Sequence, residues 1–119
     1  MKVKSNIWLD VDGQVALSAW RIKLLEAIEE TGSISQGAKM MDIPYRRAWE
    51  KIQECEAQWG FKLIETQTGG LGGGGAQLTT DGKTIIAKYK ALTAGIETLL
   101  QTRFAKLFEA EMIQLQSDQ

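Results

Sequence analysis

Histidine is absent from this 119-residue sequence, and cysteine and proline occur once each, at Cys55 and Pro44. Without histidine and with one thiol, no Cys/His zinc site can be built, and nucleophile–histidine catalysis is excluded. No run of acids has metal-ligand spacing, so no catalytic residue, metal or cofactor is expected, and an enzyme is disfavoured. A lone Cys55 cannot close an internal disulfide, which fits a reducing compartment. Long apolar runs are missing too: none approaches the ~18 residues of a membrane span. Met1-Lys2-Val3-Lys4-Ser5 has no apolar stretch behind its lysines, so the expectation is a cytoplasmic protein with no membrane partner. Finally, no charge sign dominates, with 14 basic residues against 15 acidic ones. That counts against nucleic acid, whose non-specific binding rests on phosphate neutralisation. A whole-molecule average can still hide a basic patch on one face.

What is present reads as one domain, residues 1–119, mainly α with a small amount of β. Val3, Ile7, Leu9 and Val11 share one parity, which predicts a half-buried strand. Asp12-Gly13 is a hairpin turn signal, and Val15 and Leu17 resume the alternation beyond it. Ser18 suits the N-cap of a helix ending near Thr31, with Gly32 as its left-handed stop. Trp20, Leu24, Leu25 and Ile28 make its expected buried stripe, with Ile22 off that stripe.

A short helix follows, capped by Ser33 or Ser35 and running through Gly37, Ala38 and Met41. After Asp42-Ile43, Pro44 suits the first position of a third helix, because it has no amide proton to lose there. That helix carries Ala48, Ile52 and Cys55 on one face and ends at Trp59-Gly60. Short helix, tight turn and longer helix, with small residues Gly37, Ala38 and Ala48 at the crossing, form a helix-turn-helix over residues 33–59. Residues 61–65, a glycine-rich tip and Ala76-Gln77-Leu78 form a hairpin, a wing over residues 61–78. Thr79 or Thr80 caps a final helix over residues 80–116, with Asp81 in its first turn where the helix dipole favours an acid. The whole is a winged helix-turn-helix with an N-terminal β-hairpin and a long C-terminal dimerisation helix.

Four segments carry candidate chemistry. In a helix-turn-helix the first turns of the second helix of the motif enter the major groove. Here they present Tyr45, Arg46, Arg47 and Glu50, with Gln53 beyond. Arginine can bond two acceptors of guanine, for ~1–3 kcal/mol of discrimination; the bland alternative is a solvated helix face. Trp49 is expected to pack against the wing or the first helix rather than to stack on the sugar-phosphate backbone, and Cys55 to be an inert core thiol. Ser33, Ser35 and Gln36 sit where backbone amides and hydroxyls suit a phosphate, or simply cap. The glycine-rich tip lacks the Gly-Lys-Ser/Thr of a P-loop and the strand–helix context of a dinucleotide fingerprint. Glycine there permits backbone contact with phosphate, or merely a flexible tip. In the last helix, Tyr89, Leu92, Ile96 and Leu99, continuing less regularly to Leu107, form a coiled-coil-like seam. A homodimer is its natural partner, since two-fold symmetry matches palindromic half-sites. Otherwise its first half packs onto the first helix and only the distal half pairs.

These residues are specific enough to carry a resemblance. Residues 31–39 (Thr-Gly-Ser-Ile-Ser-Gln-Gly-Ala-Lys), residues 43–49 (Ile-Pro-Tyr-Arg-Arg-Ala-Trp) and the wing over residues 65–79 resemble the N-terminal DNA-binding domain of the ModE family of molybdate-dependent transcriptional regulators. More distantly the chain is similar to the LysR-type domain. The resemblance extends to about Leu107. It implies a homodimer on double-stranded operator DNA, with Ser33, Ser35, Gln36, Tyr45, Arg46, Arg47 and the wing tip (Gln67, Gly72, Gly73) facing the duplex. ModE proteins continue into an oxyanion-binding domain, so a stand-alone form is expected, with no molybdate site in this chain. The family's wing tends to be basic, whereas Gln67 and Leu71 stand here. A rival reading follows: a winged helix that uses its neutral wing for a protein partner, with weak or no DNA binding.

Overall fold

The first strand pair explains how the chain enters its core. β1 (Trp8–Val11) and β2 (Gln14–Ser18) form an antiparallel hairpin whose turn places Asp12 at φ 50° and Gly13 at φ 85°. Two consecutive positive φ values are what a twist-matched two-residue hairpin needs. The register shifts between Leu9 and Asp10, so Ala16 and Leu17 are both buried. The computed structural model describes residues 1–67 and 74–118.

Helix α1 (Ala19–Thr31) begins where Ser18 Oγ accepts from Arg21 N at 3.2 Å and ends at Gly32, φ 79°. Leu24, Leu25 and Ile28 are buried as expected, but Trp20 is not. It shares a column with Leu24 and Ile28 yet lies in the first turn, at the rim of the core. Ile22, off that stripe, is buried as well.

Ser33, not Ser35, caps α2 (Ile34–Met40), accepting from Gln36 N at 2.9 Å. Gly37 is required by α1 rather than by α3: a Cβ on it would lie 2.6 Å from Ile28 Cγ1 and 2.9 Å from Ile28 backbone. Glycine therefore lets α1 and α2 approach backbone to side chain. Asp42 takes φ 56° in the turn, a conformation that aspartate tolerates better than most residues. α3 (Tyr45–Trp59) follows, with Pro44 one position earlier than expected, as the N-cap. Ala48, Ile52 and Cys55 are buried, as their spacing predicts.

β3 (Ile64–Gln67) and β4 (Gly75–Leu78) pair antiparallel, from Ile64 opposite Leu78 to Gln67 opposite Gly75. Ala76 N donates to Gly32 O at 2.8 Å, and Leu78 N to the Glu29 carboxylate, so the wing is stitched to the end of α1. Thr79 caps α4 (Thr80–Thr93) by accepting from Gly82 N, while its hydroxyl donates to Lys62 O at 2.7 Å.

The C-terminal segment is helical from Thr80 to Ser117 but is not one helix. It breaks at Ala94-Gly95, where Gly95 takes φ 76°, into α5 (Ile96–Leu107), and again at Phe108 into α6 (Glu109–Ser117). α4 packs on the body through Ile86 and Tyr89 and through a Lys90–Glu26 ion pair of 2.7 Å to α1. Among the described residues none of α5 or α6 is buried. They extend the molecule to 64 Å in its longest dimension, and the radius of gyration is 18.9 Å. A compact chain of this length would have about 13–14 Å.

Among the described residues no helix is long and apolar enough to cross a membrane.

Candidate nucleic-acid interface

The turn between α2 and α3 fixes the candidate recognition helix. Ile43 N donates to Ala38 O and Asp42 N to Lys39 O, both at 3.0 Å, closing α2. Pro44 O then accepts from Arg47 N and Ala48 N, so α3 starts at a set angle. With Ala48, Ile52 and Cys55 turned inward, Arg46 and Glu50 are left on the outer face. Tyr45, Trp49 and Gln53 recur every four residues and so share one flank. Arg47 and Lys51 lie on the other.

The Tyr45 flank and the wing enclose an open groove of about 670 Å³. Ser33, Ser35, Tyr45 and Gln67 line it, together with Trp49, Gln53 and Thr66. Four of the expected DNA-facing residues therefore converge on one surface. Gln36, Arg46, Arg47 and Glu50 do not line the groove and stand exposed beside it. Gly72 and Gly73, with Leu71, lie outside the described residues.

Trp49 corrects the expectation of buried packing: it is 47% exposed, beside Tyr45 at 54%. The signal for this was in the sequence. Trp49 stands four residues after Tyr45 and four before Gln53, and shares their flank rather than that of Ala48. The reading of the site also missed Glu56, which is 8% exposed on α3. Its carboxylate accepts from Leu63 N at 2.7 Å and Ile64 N at 3.2 Å, and pairs with Lys62 at 3.4 Å. Glu56 thereby fixes where the wing leaves α3. An acid four residues from Ile52 gave no sequence signal for this, because its partners are backbone amides.

Cations at this surface are mostly paired. Arg46 Nε bonds Glu50 at 3.2 Å and Lys51 bonds Glu54 at 3.4 Å. Such exposed pairs are worth ~0–1 kcal/mol, so a base or phosphate can displace them at little cost. Arg47 and Lys39 carry no ion pair among the described residues. Burial tends to raise the Glu54 carboxyl, but hydrogen bonds and charge from Arg21 and Lys51 outweigh it and hold it below its ordinary value. No group of three or more metal-ligating side chains occurs among the described residues.

The tyrosine seam residue also needs correction. Tyr89 is 7% exposed, and its hydroxyl donates to Ile7 O at 2.6 Å, so it packs within its own chain. Ile96 is half-buried, whereas Leu92, Leu99 and Leu107 are exposed at 59%, 45% and 75%.

Residues 20–83, more than half of the chain, match the model for the bacterial regulatory helix-turn-helix proteins of the lysR family. The chain belongs to this family. The match runs from α1 into the start of α4, so it holds the motif, the wing and the groove, and leaves out the N-terminal hairpin and α5–α6. Among solved structures the chain resembles the CbnR DBD–DNA complex (TM-score 0.54, 22% identity, 72% of this chain and 94% of that one). It also resembles the BenM DBD/catB site 1 DNA complex (TM-score 0.52, 20% identity, 71% of this chain and 91% of that one). At such identities the likeness shows the fold.

Sequence relatives are nearer. The molybdenum transport protein ModE of Azotobacter vinelandii is 41% identical over 101 residues, covering 85% of this chain and 37% of that protein. The DNA-binding transcriptional dual regulator ModE of Escherichia coli K12 is 49% identical over 72 residues, covering 60% and 28%. The molybdenum-pterin-binding protein MopB of Rhodobacter capsulatus is 38% identical over 86 residues, covering 72% and 32%. The chain thus spans about a third of the length of these relatives.

Proposed function

We propose that this chain is a sequence-specific DNA-binding transcriptional regulator, acting in the cytoplasm on genes of molybdenum transport or molybdoenzymes. The observation that carries it is the exposed start of α3. Tyr45, Arg46 and Arg47 stand clear of the core, flanked by the Ser33 cap of α2 and the Gln67 end of the wing. The names of the ModE relatives supply the pathway. No enzymatic activity, cofactor or molybdate site is assigned to it. Arg46 reads base edges, while Ser33, Ser35, Gln36 and the wing hold the sugar-phosphate backbone.

It acts as a homodimer on a palindromic operator. Support comes from α5 and α6, which leave Leu99, Leu107, Phe108, Ile113 and Leu115 exposed on an arm with no buried residue of its own. Fluorescence anisotropy on operator-like duplexes at several salt concentrations tests the reading. Binding weakens as salt rises, and Arg46→Ala narrows the gap between operator and random DNA. Absent binding, or binding indifferent to salt, sinks it.

A second reading has two observations in its favour. Arg46, Lys51 and Lys62 are each paired with a glutamate, and net charge is −1. A winged helix so neutralised suits a protein partner, and the same titration decides between the two.

A further inference from the structure

The angle between the C-terminal arm and the winged-helix body rests on very little. At the Ala94-Gly95 corner the backbone turns through a left-handed glycine, and the inner side of the corner is a cleft of about 330 Å³ rather than packed side chains. What crosses the corner is the N-terminal segment. Val3 N donates to Gln101 Oε1 at 2.8 Å, Ser5 N donates to Glu97 Oε1 at 3.2 Å, and Ile7 O accepts from the buried Tyr89 hydroxyl at 2.6 Å. Among the described residues, the Val3 and Ser5 bonds are the side-chain hydrogen bonds that join α5 to anything before α4.

The spacing is matched. From Gln101 to Glu97 is one helical turn, a rise of ~6 Å, and from Val3 to Ser5 is two extended residues, ~6.6 Å. Successive backbone amides of the same parity thus meet successive turns of α5. The third contact, Tyr89, lies on the body side of the break. The segment therefore bridges both sides of the corner.

We propose that residues 3–7 are a strap and that Gln101 and Glu97 are positioning residues that set operator half-site spacing. This rests on the homodimer reading above. If the arms join two copies, the corner angle fixes how far apart the two α3 helices lie, and a duplex accepts only separations near whole helical turns. A free corner would populate many separations, and apparent affinity falls by the fraction of chains in the competent one.

Two measurements test the strap. For the first, spin labels go at Lys23→Cys on α1 and Lys106→Cys on α5, in a Cys55→Ala background. The labelled chain is diluted into unlabelled chain, so that only distances within one protomer are read. The strapped chain gives one narrow distance. Glu97→Ala with Gln101→Ala, or removal of residues 1–6, broadens it. An unchanged narrow distance in both variants overturns the proposal.

For the second, paired half-sites are tested at a series of spacings. The double variant loses its preferred spacing and about tenfold in affinity there, while binding to a single half-site stays within about twofold. A spacing preference identical to that of the parent also overturns it. If the parent binds no DNA at all, the functional reading has failed, and the distance measurement still decides the strap.

Discussion

The body and the arm of this molecule are built on opposite terms. From β2 to Tyr89 the chain encloses one core, in which Leu17, Ile28, Ala48 and Leu63 have no exposed surface. From Ile96 to Ser117 it has helices of similar length without one buried side chain. Yet both stretches are rich in leucine and isoleucine. The difference teaches that apolar spacing specifies a face, and only topology decides whether that face finds a partner in its own chain. Folding stability must therefore reside in the body, and the arm's apolar face is left without a partner in its own chain.

The largest effect expected is in the body's centre. Ile28→Ala removes a fully buried side chain that meets α2 at Gly37, and should cost ~2–5 kcal/mol. Leu99→Ala, on the arm, should leave the unfolding of an isolated protomer nearly unchanged while weakening self-association. Thermal unfolding together with sedimentation, for both variants, reads the contrast. Equal losses of stability would mean that the arm folds back onto the body in solution.

Next comes Glu56, through which the body controls the wing. Glu56→Ala leaves the Leu63 and Ile64 amides without their acceptor, and an unpaired buried donor costs ~1–3 kcal/mol each. Amide hydrogen exchange at β3 should quicken while exchange in α1 changes little. Uniform quickening through both elements would show Glu56 to be a general core residue instead.

Sequence legibility divides along the same line. In the body, local chemistry marked nearly every boundary: Ser18 as a cap, Ser33 or Ser35 and Thr79 or Thr80 as pairs from which the structure takes the first, Gly32 as a left-handed stop, Trp59-Gly60 as a helix end, and Asp12-Gly13 as the turn. Each is decided within a few residues, so each could be read. Misreadings arose where the deciding neighbour was distant in sequence. Gly37 answers to Ile28, Glu56 to the amides of β3, and Tyr89 to Ile7. Trp49 was misplaced for another reason: a general preference of large aromatics for burial was set above its own four-residue spacing from Tyr45. In the arm, the seam spacing continued through Gly95 as though the helix were unbroken. Glycine costs a helix interior only ~1 kcal/mol, so sequence alone could not announce the corner.

The outer face of α3 and its wing flank should differ as well. On the outer face, Arg46→Ala should cost ~1–3 kcal/mol of discrimination at one base pair while leaving the fold intact, since this side chain is 89% exposed. On the wing flank, Trp49→Ala should lower affinity for all sequences alike. Competition titrations with single-base-pair variants of the operator separate the two. If Trp49→Ala alters base preference as strongly as Arg46→Ala, the groove reads bases as well as backbone.

The smallest effect belongs to Cys55 and appears only in alkali. Burial pushes its thiol from the ordinary value of 9.0 up to about 11, against an opposing pull from the Arg21 guanidinium beside it. The folded chain therefore holds the proton more tightly than the unfolded one. Below about pH 9 the thiol is protonated in both states and contributes nothing to the pH dependence. Between pH 9 and 11 the unfolded chain ionises first, so stability should fall across that window and level off above it. Denaturant titrations of the parent and Cys55→Ala at pH 8 and pH 10.5 isolate this contribution. The parent should lose more than the variant between the two pH values, because only the parent carries the buried thiol. Thiol reagents at pH 8 should likewise modify Cys55 only as fast as the body opens. Rapid modification of the native chain would place the thiol at the surface, and the core face of α3 would have to be redrawn.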